Sequence, residues 1–198
     1  RSSVNYNDMP EPPFTPSKAM TDEFEYTFSG WQPERTNVTK AATYTAQFTP
    51  KTRKYRITFV DYDNTPLKQY DVEYNQTPTC ETPVRAADVQ YTYTFSGWSP
   101  TISSVTGDAT YKAEYTSEVN KYTLSVLSND ATMGTTSGSG TYNYNEEVGI
   151  RATAQIGYHF VKWNDDETAN PRIVTILGDA EYTAQFEANN RSEERRVG

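Results

Sequence analysis

The chain of 198 residues has a single cysteine, Cys80, and a single histidine, His159. One cysteine excludes an internal disulfide framework and any cysteine-based zinc cluster. One histidine excludes a His-rich metal site, and neither residue has an evident base or nucleophile beside it. No apolar run approaches the roughly 18 residues of a helical membrane span. Positive charge is also scarce: 18 Lys and Arg stand against 26 Asp and Glu, a formal charge of −8. An acidic chain without a basic stripe is a poor nucleic-acid binder. Hydrophobic residues make up only 35%, which would suit disorder if aromatics were rare. They are not: aromatics reach 14%, with 16 Tyr, 8 Phe and 3 Trp. Tyr and Trp bury a large area each, so small modules with thin aromatic cores are expected.

What is present is repetition. Tyr26-Thr27-Phe28-Ser29-Gly30-Trp31 recurs as Tyr93-Thr94-Phe95-Ser96-Gly97-Trp98, 67 residues on. Ala42-Thr43-Tyr44-Thr45-Ala46-Gln47-Phe48 recurs as Ala109-Thr110-Tyr111-Lys112-Ala113-Glu114-Tyr115 at the same spacing. Val4-Asn5-Tyr6-Asn7 answers Val72-Glu73-Tyr74-Asn75. A divergent third copy opens at Lys121-Tyr122, as the second opens at Lys54-Tyr55. It carries Phe160-Val161-Lys162-Trp163 and closes with Ala180-Glu181-Tyr182-Thr183-Ala184-Gln185-Phe186. The modules are therefore 1–53, 54–119 and 120–188, and the first lacks an opening Lys-Tyr strand, as a truncated copy would. Residues 189–198 read as a non-native or disordered tail. Arg191 to Gly198 has no repeat character and resembles an in-frame translation of a sequencing adapter.

Period-2 alternation marks strands. Tyr55, Ile57 and Phe59 share one face, as do Tyr111, Ala113 and Tyr115. The small Ala between two aromatics calls for a large neighbour above it, and the Trp of each module fits. Asp61 to Pro66 reads as a hairpin loop, because Asn and Asp tolerate left-handed geometry. Ser128 to Gly140 reads as a longer Gly-, Ser- and Thr-rich loop, and 83–88 as one short helical turn. The fold class is mainly β: tandem modules of about 67 residues, each a mostly antiparallel sheet of about four strands.

These motifs resemble the Listeria–Bacteroides repeat, the B-repeat of internalin-type surface proteins. The resemblance rests on Tyr-Thr-Phe-Ser-Gly-Trp, on the closing Ala-Thr-Tyr-Thr-Ala-Gln-Phe strand and on the opening Lys-Tyr-Arg-Ile-Thr-Phe strand. It covers the chain to about Asn190, and Gly157 to Trp163 resembles the divergent branch. It implies β-grasp-like modules in tandem on extracellular bacterial proteins, with no catalytic residues to carry over. Copy three departs from it where Lys162 replaces the glycine, so its turn before Trp163 is expected to differ.

Three residues stand out as ligand-binding candidates: Trp31, Trp98 and Trp163. Each could stack on a sugar or anchor a partner. The plainer reading packs each on the Phe three residues earlier, and recurrence in every module favours that. Asp165-Asp166-Glu167 has the composition of a calcium loop but not its ordered spacing, and reads as a solvated turn. Cys80 has no partner base, and His159 falls on the outward face. No catalytic set, cofactor motif or metal set is recognised.

The leading reading is a non-catalytic stalk or spacer segment of a secreted or cell-surface bacterial protein, with adhesion to host-cell, matrix or glycan ligands. Neighbouring repeats are its structural partners. A glycan- or protein-binding module using exposed aromatics, and an accessory spacer of a secreted enzyme, are the alternatives.

Overall fold

The computed structural model describes residues 3–189. These form thirteen β-strands and no helix. The chain divides into two compact units. One holds the chain up to residue 83 together with 95–115, and the other holds 84–94 together with the chain from 116 onward. The described part of the 189–198 tail is Asn189, and the rest lies outside the described residues.

The first unit begins with β1 (Phe24–Gln32) and β2 (Thr45–Thr52), an antiparallel pair and the whole sheet of module 1. The second edge of β2 carries no strand among the described residues. Module 2 supplies β3 (Lys54–Val60), β4 (Pro66–Glu73), β5 (Tyr91–Ser99) and β6 (Ala109–Val119). Alternation runs through most of β3: Tyr55, Ile57 and Phe59 are buried while Lys54 and Arg56 face water, and Val60 at its end is buried as well. The strands lie in the order β4-β3-β6-β5. The central pair β3–β6 is parallel, with Ile57 opposite Ala109 and Phe59 opposite Tyr111. Outer hairpins around a parallel centre make this sheet β-grasp-like. An alternating pattern does not encode strand direction, so the parallel pair was not readable from it.

The β3–β4 hairpin turns where the Asp and Asn residues allow it. Asn64 takes φ 70°, and the Asp63 carboxylate accepts the Thr65 amide at 2.9 Å. The core of this unit joins Tyr55, Ile57, Phe59, Val72, Val105 and Tyr111, with Trp98 packed against it.

The expected helical turn at 83–88 does not form. Instead, the Asp88 carboxylate turns forward, accepting the amides of Gln90 at 2.8 Å and Tyr91 at 2.7 Å. An aspartate that satisfies the following amides itself starts an Asx turn rather than a helix.

In the second unit, module 3 contributes β7 (Lys121–Ser128), β8 (Gly134–Ser137), β9 (Gly140–Asn143), β10 (Glu147–Ala154), β11 (Tyr158–Trp163), β12 (Arg172–Thr175) and β13 (Ala180–Ala188). One sheet runs β11-β13-β7-β9, the same arrangement as in module 2, again with a parallel centre between β13 and β7. A second sheet, β12-β10-β8, is new to this module. Its strand β8 lies inside the segment expected to be all loop. There Thr135 and Thr136 pair with Thr153 and Ala152 of β10. Gly134 must be glycine: a Cβ there would meet ring carbons of Phe186 at 2.4 to 2.6 Å. The core is larger than in the first unit and centres on Leu124, Ile150, Trp163, Ala184 and Phe186.

Candidate functional site

The recurring aromatic motif sits on the last hairpin of each module, β1–β2, β5–β6 and β11–β13. In a regular strand, residues three apart point to opposite faces. The register of β1 against β2 skips from Phe28↔Phe48 to Gly30↔Gln47, and that of β11 against β13 from Phe160↔Phe186 to Lys162↔Gln185. This β-bulge adds one residue and swings the Trp onto the face of the Phe. The rings then meet: Phe28–Trp31 at 5.6 Å, Phe95–Trp98 at 5.4 Å and Phe160–Trp163 at 5.3 Å between centroids. The residue opposite Trp31 is Ala46, and opposite Trp163 is Ala184, so the small residue makes room for the indole. Gly30 and Gly97 take φ 144° and 150°, which L side chains rarely adopt. Lys162 keeps the bulge without a positive φ, so copy three reaches the same face through a different backbone.

The three Trp candidates do not share one environment. Trp163 is 0% exposed, and its Nε1 donates to the Ala169 carbonyl at 3.0 Å. It therefore offers no face to a ligand, which corrects its candidacy as a binding platform. Trp98 is half-buried, wedged edge-on against Phe59 at 4.8 Å. Trp31 is also half-buried, and its sheet has two strands among the described residues.

The acidic loop of module 3 disperses rather than converges. Both Asp165 oxygens take the fork of Arg172, at 3.0 and 2.6 Å. Asp166, at φ 66°, pairs with Lys162 at 2.6 Å, and Glu167 accepts the amides of Thr168 and Ala169. Among the described residues no three ligating side chains gather for a metal. Hydrogen bonds from Arg172 hold the Asp165 carboxyl below its ordinary pKa.

Arg172 is the residue that sequence reading passed over. Its guanidinium lies 4.5 Å from the Tyr182 ring centroid and 5.6 Å from that of Trp163, and its side chain is only 10% exposed. Its Nε is buried without an acceptor among the described residues. With Asp165, Glu167, Tyr182 and β12 it lines an open cleft of about 320 Å³. A lone Arg between Pro171 and Ile173 gives no sequence signal of such stacking.

The remaining singled-out residues are placed plainly. Cys80 is half-buried, and burial pushes its thiol pKa up, away from the reactive thiolate. His159 is exposed and lies 3.1 Å from the Asn189 side chain.

The ends of the hairpins show a second repeated constellation. Within the first unit, the Arg53 amide donates to the Glu23 carbonyl at 2.9 Å, and the Tyr55 hydroxyl to the Asp22 carbonyl at 2.7 Å. Within the second, the Asn120 amide donates to Gln90 at 2.8 Å, and the Tyr122 hydroxyl to Val89 at 2.7 Å. Just before each hairpin a cation covers its first strand: Lys18 on Tyr26 at 3.7 Å, and Arg85 on Tyr93 at 3.5 Å. Every partner is displaced by the sequence period. One residue, Arg53 or Asn120, separates the closing strand of one module from the opening strand of the next.

Residues 122–190 match the family model described as the Divergent InlB B-repeat domain. No curated protein matches the chain. A solved streptococcal structure, Streptococcal High Identity Repeats in Tandem (SHIRT) domains 3–4 from a cell surface protein, is 15% identical. That similarity covers 70% of this chain and 99% of that one, with a TM-score of 0.32. The third module thus matches the divergent branch of the internalin B-repeat family, the branch its Gly157 to Trp163 segment resembles.

Proposed function

We propose that this chain is a non-catalytic repeat segment of a secreted or surface-attached bacterial protein, acting as a spacer that also adheres weakly to host or matrix components. The observation that carries the reading is the repeated one-residue connection, Arg53 and Asn120, secured by the same hydrogen bonds each time. A connector of one residue adds length with each repeat and contributes little slack, unlike a flexible linker. Polar, acidic strand faces keep such a segment soluble without a large core. Adhesion would then rest on many weak contacts acting together.

The test is small-angle scattering on chains with two, three and four modules. A spacer gives a maximum dimension that rises by equal steps, whereas a dimension that levels off overturns it. Binding of the same series to mucin, matrix proteins and cultured cells separates adhesion from pure spacing: avidity predicts affinity rising with module number. A second reading, glycan or protein binding, is favoured by the Arg172 cleft, where two carboxylates, a stacked Tyr182 and an Nε without an acceptor among the described residues come together. Loss of binding in Arg172→Ala with retained fold would move weight to that reading.

A further inference from the structure

We infer that the free edge of β12 is a docking site for an extended, basic peptide segment, which would lie in the Arg172 cleft as a fourth strand of the β12-β10-β8 sheet. This partner rests on the reading of the cleft as a binding site. Strand β12 ends its sheet, with β10 on one side and no strand on the other among the described residues. The end of the ladder fixes its parity. The Ile176 amide donates to the Glu146 carbonyl at 2.9 Å, and the Ile176 carbonyl accepts the Asn145 amide at 2.7 Å. Hydrogen-bonded residues alternate along an antiparallel pair. Arg172 and Val174 therefore bond inward to β10, and the N–H and C=O groups of Ile173 and Thr175 point outward. Both of these residues line the cleft. An extended peptide gains affinity from such main-chain groups, whatever its sequence, and selectivity from the side chains beside them.

Sheet edges are ordinarily blunted by charge, by a bulge or by a covering segment. The edge strand β4 carries Lys68 and Asp71, and Thr79 crosses it, bonded to Lys68 and Tyr70. The edge strand β11 is bulged, and β8 is tied to β7 where the Thr136 hydroxyl donates to the Val126 carbonyl at 2.7 Å. β12 has no such protection among the described residues, and its one charge, on Arg172, is held by Asp165. Ile173 is 69% exposed, and its partner across the ladder is Gly149, which has no side chain to cover it. A side chain on an added strand would. Charge selects the partner. Arg172 neutralises Asp165, but Glu167 accepts only backbone amides, which leave its charge in place. Glu147, exposed and opposite Thr175, adds to the negative field at this edge. A sugar is the poorer occupant. The Arg172 guanidinium already covers Tyr182 at 4.5 Å, and Trp163 is 0% exposed, which leaves little aromatic surface for stacking. The site belongs to module 3, because residues 100–108, the matching stretch of module 2, contain no Arg and form no strand.

The experiment titrates the full nitrogen-15-labelled chain with two blocked hexapeptides, one alternating valine and lysine, the other valine and glutamate, and separately with triacetylchitotriose. The lysine peptide should shift the Ile173 and Thr175 amides saturably and slow their hydrogen exchange. The glutamate peptide should bind at least about threefold more weakly, the scale of one partly exposed ion pair. Glu167→Gln should narrow that gap. Thr175→Pro removes one outward amide where an edge strand tolerates proline, and should abolish the peptide shifts. An unchanged Trp163 indole signal shows that this variant is folded; if it is not, Glu167→Gln carries the test. Peptide binding that survives in folded Thr175→Pro overturns the edge as the docking site. Equal affinity for the two peptides overturns the basic partner. If the sugar shifts these amides and neither peptide does, the peptide falls and the binding cleft stands. If no probe shifts the cleft, both fall.

Discussion

A tryptophan in a thin module is decided by what reaches its two faces. Trp163 is enclosed by Phe160, Ala184 and the Arg172 guanidinium, while Trp31 has Phe28 beside it in a sheet of two strands among the described residues. Trp163→Ala should destabilise its unit by about 3–5 kcal/mol, the usual cost of emptying a large buried site. Trp31→Ala should cost clearly less. Denaturant unfolding followed by far-UV circular dichroism compares the two. Asp88 and Thr21 make a second informative pair. Both cap the start of a hairpin, Asp88 by its carboxylate to Tyr91 and Thr21 by its hydroxyl to Phe24 at 3.0 Å. The amide of Tyr91 and the hydroxyl of Tyr93 hold the Asp88 carboxyl below its ordinary value of 3.8. A depressed carboxylate contributes stability above its unfolded pKa and loses it as pH falls through the folded one. Acid below pH 3.8 should therefore lower the exchange protection of Gln90 and Tyr91 and leave that of Phe24 unchanged. Equal loss at both caps would refute this.

Among the elements, the aromatic hairpin shows how a motif can be legible before its geometry is. The Phe–Trp pairing was expected from recurrence. The bulge that permits the pairing was not, because a bulge is a defect in register and leaves no periodic trace. Gly30 and Gly97 were its nearest sign, and Lys162 shows that the sign is dispensable. Gly97 has nothing within 4 Å of an added Cβ, so any cost there is conformational rather than steric. Gly97→Ala should destabilise the first unit by about 1–3 kcal/mol through its φ of 150° alone, read as a shift in urea midpoint. The short strand β8 was missed because Gly and Ser at its ends resemble loop composition. It forms because β10 supplies a partner edge and Phe186 fills the space over Gly134.

For the whole molecule, stability should be uneven. Among the described residues, module 1 contributes none to the buried core, and its closing strand β2 has one free edge. Modules 2 and 3 each close their equivalent strand against a parallel neighbour. Hydrogen exchange should show β1 and β2 less protected than β5 and β6, and β11 and β13 more protected than either. Uniform protection across the three hairpins would contradict this. The order follows buried apolar area, the main stabilising term in folding.

Repetition, period-2 patterning and aromatic composition determined the repeat spacing, the strand character and the candidate aromatic residues. These are local properties, carried by neighbours in the chain. Tertiary structure alone decided the rest: the parallel central strand pair, the extra sheet of module 3, the burial of Trp163 and the stacking of Arg172. Each of these depends on which residues distant in sequence meet across a sheet or a core, and spacing along the chain does not record that.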